Sequence, residues 1–310
     1  AASARGPAGG EALLWTVHAL GIIGSEIPQS GTYGPLVTAE DCCDAFGATL
    51  GPHPLMRTWS TFLAHALSTM EGGVVTTDDD DMADDLRVLR AHGWTRNLSE
   101  TSAKRMIGDY SGDPRYAFVD WGLNVRPTEV AAAIGLVQLR RVDGFLAERR
   151  RQAEAMRDAV SGADSVEVPS FGPGDSLHGF PMLVRDGGPI SRDEFVRRLE
   201  EAGVETRPIL AGNVARQPAA RRFLESGVLS HGPLPVADAV HDRGLYVGLL
   251  PLADEKDFAR VLAKRQHGCD EVEFDDTPRV SLSTYKDETG KEVAAGAFVQ
   301  AWVWVELEDD

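Results

Sequence analysis

The sequence predicts an α/β chain with a first domain over residues 1–160, a small α/β domain over 161–268 and a β-rich tail over 269–310. Three observations predict it. An apolar run ends in acids near residue 41, helical periodicity dominates 127–160, and strand-like and helix-like segments alternate after residue 165.

Taken in order, Pro35-Leu-Val-Thr-Ala-Glu40 reads as a short buried strand running into Glu40-Asp41-Cys42-Cys43-Asp44. Open α/β sheets collect ligands at such carboxyl ends. Asp78 to Asp81 open a helix carrying Met82, Leu86 and Leu89 and closed by Gly93, so the acids read as a solvated helix start, not a metal site. Pro127-Thr128-Glu129 opens one long helix through Ile134, Val137, Leu139 and Phe145 toward residue 160, with proline at its first position. Its arginines (Arg140, Arg141, Arg149 to Arg151) are expected on the solvated face. Then follow a strand at 178–184, a helix at 191–202, strands at 204–208 and 245–249, and a helix at 253–265. Ser191 and Glu194 form a capping box, and Gly203 supplies a left-handed stop. In the tail, the turn signal Asp287-Glu-Thr-Gly290 precedes a β pattern from Phe298 to Leu307.

Composition narrows the classes. At 310 residues with 43% hydrophobic content, each domain can bury a core. No run approaches the roughly 18 apolar residues of a membrane helix, and residues 1–14 lack a secretory pattern, so a cytoplasmic chain is expected. A formal charge of −17 argues against nucleic acid or anionic membrane as partners. Cys42, Cys43 and Cys269 make neither a disulfide framework nor a four-thiolate centre, and no metal ligand set is expected. Only five lysines are present: Lys104, Lys256, Lys264, Lys286 and Lys291.

Three segments carry chemistry when read together: Glu40-Asp-Cys-Cys-Asp-Ala-Phe-Gly47, Ser60-Thr-Phe-Leu-Ala-His65-Ala-Leu-Ser-Thr-Met-Glu-Gly-Gly73 and Gly122-Leu-Asn124-Val-Arg126-Pro-Thr-Glu129. In this order and spacing they resemble the DegT/DnrJ/EryC1/StrS sugar aminotransferase and dehydratase family, of aspartate-aminotransferase-like fold (pyridoxal phosphate-dependent fold type I). With His92-Gly-Trp-Thr-Arg96 and Ala211-Gly-Asn213, the similarity is strongest to the branch that dehydrates GDP-4-keto-6-deoxymannose at C3, in colitose synthesis.

That resemblance implies roles. Asp41 would face the pyridinium nitrogen of pyridoxal 5'-phosphate or pyridoxamine 5'-phosphate, where a carboxylate keeps the ring an electron acceptor. Asp44 would lie near the ring hydroxyl, Ser60 on the phosphate, and Asn124 on the cofactor phosphate of a neighbouring subunit, which implies a homodimer. Arg126, Arg207 and Asn213 would meet the substrate, a nucleotide-linked 4-keto-6-deoxy sugar with GDP favoured, or L-glutamate, the amino donor. His65 stands where aminotransferases of the family carry their Schiff-base lysine. Imidazole moves protons near neutral pH but forms no stable covalent link with the cofactor. A 3-dehydratase follows, and residues 92–122 lack the cysteines of the iron-sulfur variant. The family's N-terminal phosphate loop and ring-stacking aromatic are not recognisable before Val17, so the large domain is expected to be incomplete. A truncated non-catalytic homologue and a sugar 4-aminotransferase stay open, although no lysine lies between Val17 and Arg96 to serve the latter.

Overall fold

A computed structural model describes residues 12–24, 30–31, 34–52, 54–229 and 231–249, together with the backbone of two strands at 284–286 and 292–294. Two compact units result, Ala1–His267 and Gly268–Asp310.

In the first unit, one sheet is built from β1 (Ala12–Val17), β2 (Ser30–Gly31), β3 (Gly34–Asp41), β4 (Met56–Ser60) and β5 (Gly73–Thr76). Its order is β1-β3-β4-β5, with β2 pairing antiparallel to the start of β3. β1, β3 and β4 run parallel, so Val17, Asp41 and Ser60 end at one edge of the sheet. Register fixes this, with Val17 opposite Asp41 and Asp41 opposite Thr58. The run expected at 35–40 is therefore β3, and Ala39 and Glu40 are buried as expected of a strand inside a sheet.

Helix α1 (Asp80–Leu89) starts as its acids require: the Asp79 side chain accepts from the Met82 N–H. α2 (Glu100–Ile107) is capped by Ser99. Gly93 adopts φ +86°, and a Cβ there would sit 1.7 Å from the Asp120 carbonyl oxygen.

The single helix expected from 129 toward 160 is two, α3 (Glu129–Leu139) and α4 (Val142–Ala159). The turn at Arg140 and Arg141 tightens, with the Arg141 N–H reaching Gln138 O at 2.9 Å. It separates two different environments, since α4 buries Val142, Ala153 and Met156 while α3 buries none of its residues. Pro127 lies outside the helix, and Thr128 is the N-cap.

A second sheet, order β6-β7-β9-β8, comprises β6 (Val166–Glu167), β7 (Gly179–Val184), β8 (Thr206–Arg207) and β9 (Gly244–Gly248), all paired antiparallel. α5 (Arg192–Glu201) lies between β7 and β8 in sequence, and α6 (Pro218–Glu225) and α7 (Pro235–Arg243) precede β9. Phe180, Met182, Leu199, Leu245 and Val247 fill its core together with Ala153 and Met156 of α4. Ser191 caps α5 through the Glu194 N–H, and Gly203 takes φ +77°. The capping box is only half made, because the Glu194 carboxylate pairs with Arg197 and Arg198.

In the second unit, β10 (Thr284–Lys286) pairs antiparallel with β11 (Glu292–Ala294), on either side of the expected turn at 287–290. That turn, the helix expected at 253–265, the β pattern at 298–307 and Cys269 lie outside the described residues.

Candidate active site

The parallel edge of the first sheet gathers two of the three sequence motifs, Glu40–Gly47 and Ser60–Gly73, because each begins at the end of a strand. His18 follows β1, Asp41-Cys-Cys-Asp44 closes β3, and Ser60 to His65 leave β4. The His18 N–H donates to Asp41 O (3.0 Å) and the Cys42 N–H to Thr58 O (2.8 Å), which holds the three exits together.

A tight turn at His18–Gly21 then joins this edge to the segment leading into β7. Leu20 and Gly21 both have positive φ, 53° and 79°. The Leu20 N–H donates to Asp44 Oδ2 (3.0 Å), while Leu20 O accepts from the His178 N–H (2.9 Å) and Gly21 O from the Ser176 N–H (3.0 Å). A Cβ on Gly21 would lie 1.8 Å from Ser176 O, so only glycine permits this approach. His178, the residue just before β7, is thereby delivered to Asp44.

The result is a cluster of two histidines and a carboxylate. His65 Nδ1 lies 3.5 Å and His178 Nδ1 3.9 Å from the same oxygen, Asp44 Oδ1. Their ring centroids are 5.2 Å apart. Both Nδ1 atoms are buried without a hydrogen-bond partner. Arg149, expected on the solvated face of its helix, is instead 8% exposed and faces this cluster, donating from Nη2 to Ala64 O (3.4 Å). Its neighbour Arg150 holds the carbonyls of Gly172, Pro173 and Asp175, and Arg151 pairs with Glu148, so each of the three arginines has a different structural task.

Burial dominates the electrostatics. Burial holds the His65 imidazole below its ordinary pKa, and the Arg149 charge adds to this against the opposing Asp44 carboxylate. His178 is held down to about 4, chiefly by burial, with Arg149 and His65 adding to it and Asp44 opposing. Both imidazoles are therefore neutral at pH 7, and His65 can accept a proton. Burial also lowers the pKa of Arg149 and raises that of Tyr246, whose ring is 6.4 Å from that of His178.

The other sequence-predicted residues are distributed unevenly. Asp41 Oδ1 accepts from the Cys43 N–H (2.9 Å), and burial with the neighbouring Asp41 raises the Cys43 thiol to about 12. The Ser60 hydroxyl accepts from the Phe62 N–H (3.2 Å) at the start of the turn that carries His65. Asn124 and Arg126 are exposed and bond each other, Arg126 Nε to Asn124 Oδ1 at 3.4 Å. Arg207, on β8, pairs with Glu205 and stands opposite Tyr246 in the sheet. Asn213 is buried and its amide is used structurally, accepting from Ala215 N–H (3.0 Å) and donating to Asp238 (2.8 Å). His178 and Tyr246 were not singled out by sequence, and Arg149 was expected only on the solvated face of its helix. A histidine interrupting the apolar entry to β7 was the one signal available for His178.

A sequence profile described as "DegT/DnrJ/EryC1/StrS aminotransferase family" matches residues 25–266. GDP-4-keto-6-deoxy-D-mannose 3-dehydratase of Yersinia pseudotuberculosis is 37% identical over 217 residues, covering 67% of this chain and 54% of that protein. GDP-perosamine synthase of Caulobacter vibrioides is 31% identical over 236 residues, 74% of this chain and 57% of the relative. The chain thus spans a little over half the length of these curated relatives. Among solved structures, that of the E. coli GDP-4-keto-6-deoxy-D-mannose-3-dehydratase with bound hydrated PLP superposes with TM-score 0.68 at 30% identity, over 81% of this chain and 67% of that one.

Proposed function

The chain belongs to the DegT/DnrJ/EryC1/StrS aminotransferase family and has its aspartate-aminotransferase-like α/β fold; from that premise we propose that it serves a vitamin B6-dependent 3-dehydratase acting on a nucleotide-linked 4-keto-6-deoxyhexose. GDP is the favoured nucleotide and L-glutamate the amino donor. The observation that carries the reading is His65, a neutral, half-buried imidazole beside Asp44, at the position where the family's aminotransferases use lysine.

The donor set fits the ring end of the cofactor. Orphaned imidazole nitrogens and two carboxylates stand at the carboxyl ends of parallel strands, where α/β sheets bind ligands. Asp41 would pair with the pyridinium nitrogen, Asp44 with the ring hydroxyl, and Ser60 with the phosphate. When bound as pyridoxamine phosphate, the cofactor supplies the amine that engages the C4 ketone and an electron sink for loss of the C3 hydroxyl.

His65 moves the proton that this loss requires. The negative charge of Asp44, 3.5 Å from Nδ1, favours the tautomer that carries its proton on Nδ1, so the lone pair resides on Nε2, which becomes the base. Burial keeps that nitrogen unprotonated at neutral pH, and Arg149 reinforces this. Arg207, at the edge of the second sheet, and Asn213 are assigned to the sugar or glutamate, and Arg126 to an anion. We assign residues 1–160 to the cofactor half and 161–268 to a small domain that closes the site through His178. Asn124, exposed on an apolar segment, would reach the cofactor phosphate of a second copy in a homodimer.

A 4-aminotransferase reading draws on the GDP-perosamine synthase similarity, but the absence of lysine at residue 65 weighs against it. Titration of the chain with pyridoxal phosphate, followed by absorbance, then with glutamate, tests the proposal. Binding without a borohydride-reducible adduct, and gain of that adduct in His65→Lys, supports it. No binding by either protein overturns it and leaves a non-catalytic homologue.

A further inference from the structure

We propose that Asp44, His65 and His178 together bind a zinc-type divalent cation, and that this cation blocks the base role assigned to His65. The distances carry the first half. At 3.5 and 3.9 Å, the two contacts to Asp44 Oδ1 are too long for ordinary N–H···O hydrogen bonds. Zinc bonds of about 2.0–2.1 Å in a tetrahedral set put neighbouring ligand atoms about 3.3–3.4 Å apart. The nitrogens lie 3.5 and 3.9 Å from the carboxylate oxygen and all three donor atoms lie within 4.8 Å of one another, so side-chain adjustments of at most about 1.5 Å reach that spacing. Two imidazoles and one carboxylate form a mixed nitrogen and oxygen set suited to zinc, cobalt or nickel rather than magnesium or calcium. Both ring nitrogens are buried and unpartnered, so a cation supplies what each lacks.

The second cluster of similar composition explains what makes this one different. His18, Glu40 and Cys42 also converge, but Glu40 is already held by the Arg57 guanidinium at 2.6 Å. A cation there would displace an existing ion pair in a buried site, which is costly. At the Asp44 cluster, Arg149 Nη2 bonds a backbone carbonyl, and its charge lowers the affinity without occupying a ligand position.

The second half is tautomer chemistry and rests on the function proposed for His65. A neutral imidazole has one lone pair and one N–H. When Nδ1 commits its lone pair to a cation, the proton resides on Nε2 and the ring has no basic nitrogen left. Asp44 and the cation thus impose opposite tautomers on the same ring.

The test uses the full chain without cofactor and cobalt(II) as the probe, followed by its visible d–d absorption and displaced by zinc. The expected result is one equivalent bound, with paramagnetic shifts on the ring protons of His65 and His178 but not His18. Asp44→Asn and His178→Asn should each weaken binding by at least roughly 100-fold, the upper end of what loss of an outer-shell partner alone costs. Absence of the bands, unshifted His65 and His178 resonances in the wild-type chain, or a thiolate absorption abolished by Cys42→Ala would overturn the proposal. Neither cofactor nor sugar enters this assay, so its failure is distinct from failure of the dehydratase reading. Where cobalt binds, zinc should suppress turnover of the sugar, and unchanged turnover at saturating zinc would refute the blocking role.

Discussion

The second sheet and the segment from Tyr116 to Leu139 use the same kinds of residue to opposite ends. Around β7 and β9, Phe180, Met182, Leu199 and Val247 are sealed by α4 and α5, and the apolar surface is consumed within the chain. In the other region, Trp121 is 97% exposed, and Leu123, Val125, Val130, Leu136, Val137 and Leu139 stand in the open with it. α3 is apolar on all sides and buries nothing among the described residues. A helix of that composition is made for burial. The first region is finished by its own neighbours, whereas the second is shaped for a covering surface, consistent with the homodimer proposed above.

Truncation gives the sharpest contrast. Phe180→Ala should destabilise the chain by about 3–5 kcal/mol, the usual range for a buried aromatic, measured by denaturant unfolding. Trp121→Ala in the same assay, at a concentration where the chain is monomeric, should change stability by less than about 0.5 kcal/mol. Equal effects would erase the distinction.

Acidification probes the seam between the sheets. His178 is held down to about 4 in the folded chain, against an ordinary value of 6.5. The folded state therefore binds fewer protons than the unfolded chain between those values. Stability is fully present above pH 6.5 and is lost as pH falls toward 4, by up to about 3 kcal/mol for a shift of this size. His178→Gln should flatten that part of the pH profile, measured by thermal or denaturant unfolding at each pH. A profile unchanged by the substitution would assign the acid sensitivity elsewhere.

Smaller effects complete the series. Ser191→Ala removes the cap that receives the Glu194 N–H and should cost about 1 kcal/mol, read from the denaturation midpoint. Val130→Asp on α3 should leave the monomer's stability within about 0.5 kcal/mol. Its expected signature is instead in sedimentation, as a shift toward monomer, and a wild-type chain that is monomeric at all concentrations would remove the interface reading.

What the sequence made legible was local. The strand ending at Asp41, the acid-capped start of α1, Ser191 with Gly203, and the motif order that identified the family all depend on residues near one another in the chain. His178 escaped notice because its partner Asp44 is reached only through the Gly21 turn, which no periodicity encodes. Arg149 was misplaced for a related reason: polar residues on a helix are read as solvated, yet this one is itself buried and faces the Asp44 carboxylate. The break at Arg140 and Arg141 was equally hidden, since apolar spacing continues across it while the two helices meet different surroundings.

The Gly21 turn has a consequence for the order of events in folding. It connects residues near position 20 to residues near 176, and the adjoining bond from Ile23 N–H to Asp175 Oδ1 spans 152 positions. Contacts of such separation carry a large loop-closure cost and form late. During synthesis, the first sheet can pair before the ribosome has made His178, but the paired histidines cannot. Assembly of the histidine cluster therefore reports a chain whose two sheets have both formed, and its appearance should follow, rather than accompany, collapse of either sheet.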